Sequence, residues 1–308
     1  MMLLRGTGRV LRHLRAFGTV VRPGGPCVFN SLSGQIEPIE TSAHQKTITW
    51  YSCGPTVYDA AHLGHARTYV CTDILRRVMR HAFNIETHLV MGVTDVDDKI
   101  IKRSSERKEN GRPVTNVEFL KLARSYENDF FADLDLLGVL RPTAVARVSE
   151  HIEEIVDYIR TICDNGHGYE ADDGVYFDCD SLRVAGHGSY GALARSAADV
   201  SSASSTVSKN LAHREKKNRR DFALWKKTDP STTPGWDSPW GFGRPGWHIE
   251  CSAMTHTLMG PHLDIHSGGI DLKFPHHNNE VAQCQAHNKC QAHEWTNQFV
   301  HFGHLHIE

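Results

Sequence analysis

A strand–helix–strand unit between residues 47 and 93 constrains this chain more than any other feature of its sequence. Residues 47–52 (TITWYS) are a short β-branched and aromatic run that reads as a strand. The loop Cys53-Gly54-Pro55-Thr56 follows, and a helix opens near His62. In that helix Ile74, Leu75, Val78, Met79, Ala82 and Phe83 recur at i, i+1, i+4, i+5, the spacing of a buried face. Residues 87–93 (THLVMGV) read as the next strand. Two strands joined in this way argue for a parallel sheet with a right-handed crossover, so the expected fold class is α/β. At 40% hydrophobic residues a sizeable core is available, and 308 residues correspond to about two domains. No run approaches the roughly 20 apolar residues that span a bilayer.

The region after residue 114 has a different character. Thr115 and Glu118 form a capping-box pattern before a long helix, and a second helix runs from about Ser149 to Asn165-Gly166. Residues 174–178 (GVYFD) suggest a strand. Residues 196–208 are Ser/Ala-rich and read as a loop, leading into Arg214, Lys216, Lys217, Arg219 and Arg220, which suit either a solvated face or an RNA contact. Beyond Asp221, residues 263–266 read as a strand, Ser267-Gly268-Gly269 as a tight loop, and 276–287 as a helix with Pro275 in its first turn. Residues 299–307 alternate as a last strand. The expected organisation is a leader over 1–36, a first core half over 37–114, an inserted subdomain over 115–220 and a second core half over 221–308.

The leader is set apart by charge. From Met1 to Gln35 there is no Asp or Glu, while Arg5, Arg9, Arg12, Arg15 and Arg22 alternate with Leu3, Leu4, Val10, Leu11, Leu14 and Phe17. A helix there would be basic on one side and apolar on the other, as in an organelle transit peptide; a flexible basic tail is the alternative. The whole chain carries a net charge of −2, so any nucleic acid must be met by local basic patches. Its eight cysteines include no C-x-x-C pair, which excludes a secreted disulfide framework and leaves thiols or metal ligands.

Three constellations carry potential chemistry. His62-Leu63-Gly64-His65 places two imidazoles at a helix N-terminus, where free N–H groups and the macrodipole favour phosphate; two ordinary surface histidines are the alternative. His276 and Glu280, at i and i+4, share a helical face, as a helix hydrogen bond or zinc ligation would require. Cys53 and Cys251 are the obvious further ligands, or else small buried hydrophobes. Gly268-Gly269-Ile270-Asp271 suits a backbone held close to a ring with Asp271 on a ribose hydroxyl, or an ordinary turn.

The blocks CGPTVYDAAHLGHAR (53–67), TDVDDKIIKR (94–103), DFALWK (221–226), PGWHIECSAM (245–254) and HSGGIDLKFPHHNNE (266–280) closely resemble the cysteinyl-tRNA synthetase family, in order and over nearly all of 47–308. The resemblance implies a class I Rossmann-type parallel-sheet catalytic core with an inserted α+β connective peptide. The implied reaction joins L-cysteine, ATP (with Mg²⁺) and tRNA(Cys) into Cys-tRNA, AMP and pyrophosphate. By the same resemblance, His62 and His65 engage ATP and stabilise phosphate charge, and Cys53, Cys251, His276 and Glu280 bind Zn²⁺. Gly54, Thr56, Thr94, Trp247 and His276 hold cysteine, and Gly268, Gly269 and Asp271 hold adenosine. Lys99-Ile100-Ile101-Lys102 matches a segment tied in some relatives to pyridoxal phosphate and persulfide formation. With the basic leader, a mitochondrial matrix form is expected.

Zinc gives that reaction its specificity. A shape-based pocket separates serine from cysteine by only a few kcal/mol. Zn²⁺ with an open position accepts the substrate sulfur as thiolate and leaves the harder hydroxyl unbound, so no editing domain is expected. The family pattern continues into a KMSKS loop, a helical domain and an anticodon-binding region, and this chain stops at Glu308 before them. It is therefore expected to be a truncated form that retains zinc but is severely impaired in adenylation and tRNA charging, with incomplete tRNA contact. The second reading is a non-catalytic zinc- and cysteine-binding fragment; a third, a ligase joining cysteine to an amino-sugar, lacks any marker for the sugar.

Overall fold

The computed structural model describes residues 25–40, 47–107, 112–186, 188–194, 196, 199–200 and 216–303. Along the chain lie β1 (Cys27–Asn30), β2 (Gln35–Pro38), β3 (Thr47–Thr56), α1 (Leu63–Phe83), β4 (Glu86–Thr94), α2 (Asp98–Glu106) and α3 (Asn116–Leu136). There follow β5 (Ala144–Arg147), α4 (Ile152–Asp164), β6 (Gly168–Ala171), β7 (Gly174–Phe177), β8 (Phe222–Lys227) and β9 (Gly243–Pro245). The last are α5 (Trp247–Met259), β10 (Leu263–Gly269), α6 (Asn278–Asn288) and β11 (Thr296–Phe302).

Five strands form a wholly parallel sheet in the order β11-β10-β3-β4-β5. The expected α/β class is what the structure shows. Both faces are covered, which is why β4 is buried without a break from Leu89 to Thr94. On one face Ile48, Trp50, Leu89 and Ile265 pack against Met79 of α1. On the other, Tyr51, Cys53, Val90 and Val93 meet α4, α5 and α6 through Ile155, Ile159, Ile249, Met254 and Val281. Strand order runs outward in one direction from β3 and in the other from β10. The carboxyl ends of those two neighbours therefore flank a topological switch point, where open α/β sheets leave a crevice.

A second, antiparallel sheet has the order β6-β7-β8-β9. It is assembled from both sides of the expected boundaries: β8 and β9 follow residue 221 yet extend this sheet, while β5, inside 115–220, completes the parallel one. Sheet membership therefore does not change at 115 or 221, because strand pairing is settled by free edges in space. Residue 36, the expected end of the leader, likewise falls inside β2. The β1–β2 hairpin is tied to β11 by Asn30, whose Oδ1 accepts from Phe299 N at 3.1 Å and whose Nδ2 donates to Asn297 O at 3.0 Å. The leader up to residue 24, the loop 201–208 and Arg214 lie outside the described residues.

Two local expectations change. Ser267-Gly268-Gly269 is no tight loop: β10 runs through to Gly269, held in register by Val300, His301 and Phe302 of β11. The helix expected from residue 276 starts at Asn278, and Lys273–His277 forms a wide π-type turn containing a cis Phe274–Pro275 bond. The capping box at Thr115 is present, with Thr115 N donating to Glu118 Oε2 at 2.9 Å.

Candidate metal centre and nucleotide cleft

Cys53 stands near the carboxyl end of β3, facing the helices that cover the switch point. Cys251 reaches it from the first turns of α5, His276 from the wide turn and Glu280 from α6. All four are buried. Cys53 Sγ lies 3.7 Å from Cys251 Sγ, 3.6 Å from His276 Nε2 and 3.8 Å from Glu280 Oε1, and His276 Nε2 lies 3.0 Å from Glu280 Oε1. Ligand bonds of about 2.3 Å for sulfur and 2.0–2.1 Å for nitrogen or oxygen, set tetrahedrally, give edges of about 3.8 Å between sulfurs and 3.6 Å from sulfur to nitrogen. The three edges from Cys53 match; the nitrogen–oxygen edge is a few tenths of an ångström short. Cys53, His276 and Glu280 are spaced to hold one cation of borderline softness, with Cys251, 3.7 Å from Cys53, or His277 as the fourth donor.

Their protonation is strained without a cation. Burial and the neighbouring Cys251 push the Cys53 thiol up, while the hydrogen bond from Cys53 holds Cys251 down at about 6. A cation stabilises both thiolates at once.

His277 is a fifth donor nearby. Its ligand atom falls within 4.8 Å of those of Cys53, His276 and Glu280. It fits the tetrahedron less well, at 4.0 Å from Glu280 Oε1, and its Nδ1 is engaged by His301 Nε2 at 2.7 Å. Two further imidazoles orient the donors from behind. His266 Nε2 donates to Glu280 Oε2 at 2.8 Å, which turns Oε1 toward the cluster, and His248 Nδ1 pairs with His276 Nδ1 at 3.0 Å.

Cys53 also opens onto a cleft of about 200 Å³ walled by Gly54, Thr56, His62, His65, Thr68, Tyr69, Gly269 and Asp271. The two histidines make an unusual cap for α1. His62 is the N-cap, its Nδ1 accepting from Gly64 N at 3.1 Å, while His65 Nδ1 accepts from His62 N at 3.3 Å. The rings stack at 3.9 Å. Because each Nδ1 accepts a backbone N–H, the ring proton of each neutral imidazole sits on Nε2. Both side chains thus present N–H donors beyond a helix N-terminus, an arrangement suited to phosphate oxygens. Burial, and next the nearby His62, lower the pKa of His65, which favours that neutral form.

The remaining expected residues divide. Gly54 permits close contact: a Cβ there would lie 2.1 Å from Gly92 O. Gly268 lies behind the cleft wall against His277 rather than lining it. Trp247 stacks on His276 at 4.4 Å and, with Glu250 and Asp97, borders a smaller hollow next to the cluster. Thr94 is buried and does not line this hollow; its Oγ1 donates to Glu250 Oε2 at 3.4 Å. Glu250 was not singled out from the sequence. Burial and the adjacent Cys251 push its carboxyl well up. Its only sequence signal is its place inside the block 245–254. Tyr51, His248 and His266 were also passed over, since nothing local distinguishes a buried aromatic or imidazole beside a ligand from one in an ordinary core.

With the geometry established, three comparisons bear on the chain. Residues 39–308 match the family model described as tRNA synthetases class I (C) catalytic domain. The chain is 49% identical over 282 residues to a probable mitochondrial cysteine–tRNA ligase of Xenopus tropicalis, covering 91% of this chain and 45% of that protein. It is 46% identical to a cytoplasmic cysteine–tRNA ligase of Dictyostelium discoideum, covering 91% and 41%. The chain thus spans about half the length of the curated relatives it matches. Mycobacterium tuberculosis methionyl-tRNA synthetase, solved with methionyl-adenylate, shares the fold at a TM-score of 0.56 and 13% identity, over 84% of this chain and 57% of that one. With a parallel sheet, a cleft at its switch point and a family match over most of its length, the chain belongs to the class I (C) tRNA synthetase catalytic-domain family.

Proposed function

We propose that this chain carries the cysteine-activating site of a cysteine–tRNA ligase, which joins L-cysteine to ATP and passes the aminoacyl group to tRNA(Cys). The observation that carries the reading is Cys53, which belongs at once to the four-donor cluster and to the wall of the cleft at the α1 N-terminus. A substrate thiol directed at the cluster would have its carboxylate in that cleft. Cys53, Cys251, His276 and Glu280 would hold zinc, which when bound supplies a thiophilic centre that prefers a thiolate to a hydroxyl. Trp247 would close over the amino acid, and Gly54, Thr56 and Thr94 would line its path.

Activation needs no protein nucleophile. The cysteine carboxylate attacks the α-phosphorus of ATP, an oxygen–phosphorus bond forms as the bond to pyrophosphate breaks, and Mg²⁺ accompanies the nucleotide. The Nε2–H groups of His62 and His65 stabilise the charge on the phosphate oxygens as it builds. Gly269 admits the adenosine ring system and Asp271 binds its ribose, with Gly268 setting the wall behind. Pyridoxal phosphate is not part of the proposal: Lys99 stands over the Tyr58 ring at 5.0 Å and Lys102 lies 4.0 Å from Glu106, neither contact implying that cofactor. For localisation the proposal is the mitochondrial matrix, on the acid-free, arginine-spaced sequence before Gln35.

Two measurements on the zinc-loaded chain test the activity: cysteine and serine binding by calorimetry, and cysteine-dependent exchange of pyrophosphate into ATP. The proposal expects cysteine preference that disappears on chelation, and exchange reduced about 10²–10³-fold by His65→Ala. Zinc-dependent cysteine binding without exchange would favour a binding-only role for this chain. Equal binding of serine and cysteine would refute the zinc-selection reading.

A further inference from the structure

Tyr51 is fully buried in the centre of the parallel sheet, yet among the described residues its hydroxyl has no partner within hydrogen-bond geometry. Its side chain leaves β3 on the same face as Cys53, two residues on, since strand side chains alternate. Room for the hydroxyl comes from the neighbouring strand, where a Cβ on Gly92 would fall 2.0 Å from Tyr51 Oη. The ring stands edge-on to His266 at 5.5 Å, the imidazole that fixes Glu280. Burial raises the pKa of this hydroxyl well above its ordinary value, and the neighbouring Cys251 and Cys53, then Glu280, raise it further. A phenylalanine would fill this space without burying an orphaned polar atom, and a buried hydroxyl ordinarily has a partner. Of the acceptors at hand the Glu280 carboxylate is already engaged by His266 and His276, which leaves the sulfurs: a neutral thiol accepts weakly, whereas a thiolate accepts well.

We infer that Tyr51 is a positioning residue of the metal centre, its hydroxyl donating to Cys251 Sγ when that sulfur is a cation-bound thiolate. This rests on the zinc reading proposed above. The bond would hold the sulfur in place and draw charge from it, leaving the cation more receptive to an incoming thiol.

The test is Tyr51→Phe, measured by chelator-competition titration with zinc, by the sulfur-to-metal charge-transfer band of the cobalt(II)-loaded protein, and by thermal melting of the metal-free protein. The expected result is one zinc per chain bound about 10–100-fold more weakly, a shifted band, and metal-free protein that melts no lower than wild type. Zinc affinity within twofold of wild type with an unmoved band overturns the inference and leaves the zinc reading intact. Weaker zinc binding accompanied by lower melting of the metal-free variant and an unmoved band also overturns it, in favour of a packing role. Wild-type protein that binds no zinc overturns both.

Discussion

Cys251→Ala should uncouple zinc binding from folding, and its size can be worked out from the site. Structural zinc sites bind with about 10–16 kcal/mol near neutral pH. Shared over four ligands, one thiolate contributes roughly 2.5–4 kcal/mol, or about 10²–10³ in affinity. The side chain is 4% exposed and loses one atom, so the metal-free protein should lose only about 1 kcal/mol. At free zinc of about 100 times its Kd, wild type gains about 2.7 kcal/mol, whereas the variant at the same zinc gains under about 0.5 kcal/mol. At roughly 2–4 °C per kcal/mol for a chain of this size, zinc should raise the wild-type Tm by about 5–10 °C and that of the variant by no more than about 2 °C. The assay pairs thermal melts with chelator competition. Cys284→Ala serves as the control: that thiol is equally buried on α6 but accepts from Tyr158 at 3.2 Å instead of facing the cluster, so zinc affinity should be kept. A Cys251→Ala protein that binds zinc within threefold of wild type would refute the assignment of this sulfur as a ligand.

Three further outcomes are expected of the fold. Gly92→Ala forces a Cβ onto the Tyr51 hydroxyl and should cost about 1–3 kcal/mol in urea denaturation; an unchanged midpoint would show that β3 and β4 can separate at no cost. Glu127→Gln takes a buried carboxylate from Arg147, 2.7 Å away, and from Arg124, and should cost about 3 kcal/mol, a loss absent only if the α3–β5 junction does not depend on that charge. Asp98 is partly buried, which raises its pKa, but Lys226 and Arg244 outweigh that and hold its carboxyl below the usual range. Its contribution is therefore complete above about pH 4 and fades as pH falls through its lower folded value. Asp98→Asn should flatten that acid limb by under about 1 kcal/mol, because the carboxylate is more than half exposed; parallel stability curves from pH 2.5 to 6 would contradict this.

Local pattern alone specified the units of this molecule. The 47–93 strand–helix–strand, the Thr115 capping box and the histidine pair at the head of α1 are legible because each is written within a few residues, over which backbone hydrogen bonds and side-chain periodicity act directly. The His276–Glu280 pair was visible for the same reason, although the backbone carrying it is a wide turn and not the expected helix. What joins the units was not local. Cys53 and Cys251 are 198 positions apart and meet only because α5 packs over the end of β3; their pairing with one cation came from resemblance, not from spacing. Gly268 and Gly269 spell a turn, and it takes the paired edge of β11 to extend them as strand. Tyr51 and Glu250 gained significance only through burial beside the sulfurs. Short-range forces choose each segment's shape, whereas strand order, buried charge and ligand distance are set by the one arrangement in which all the apolar faces are covered together.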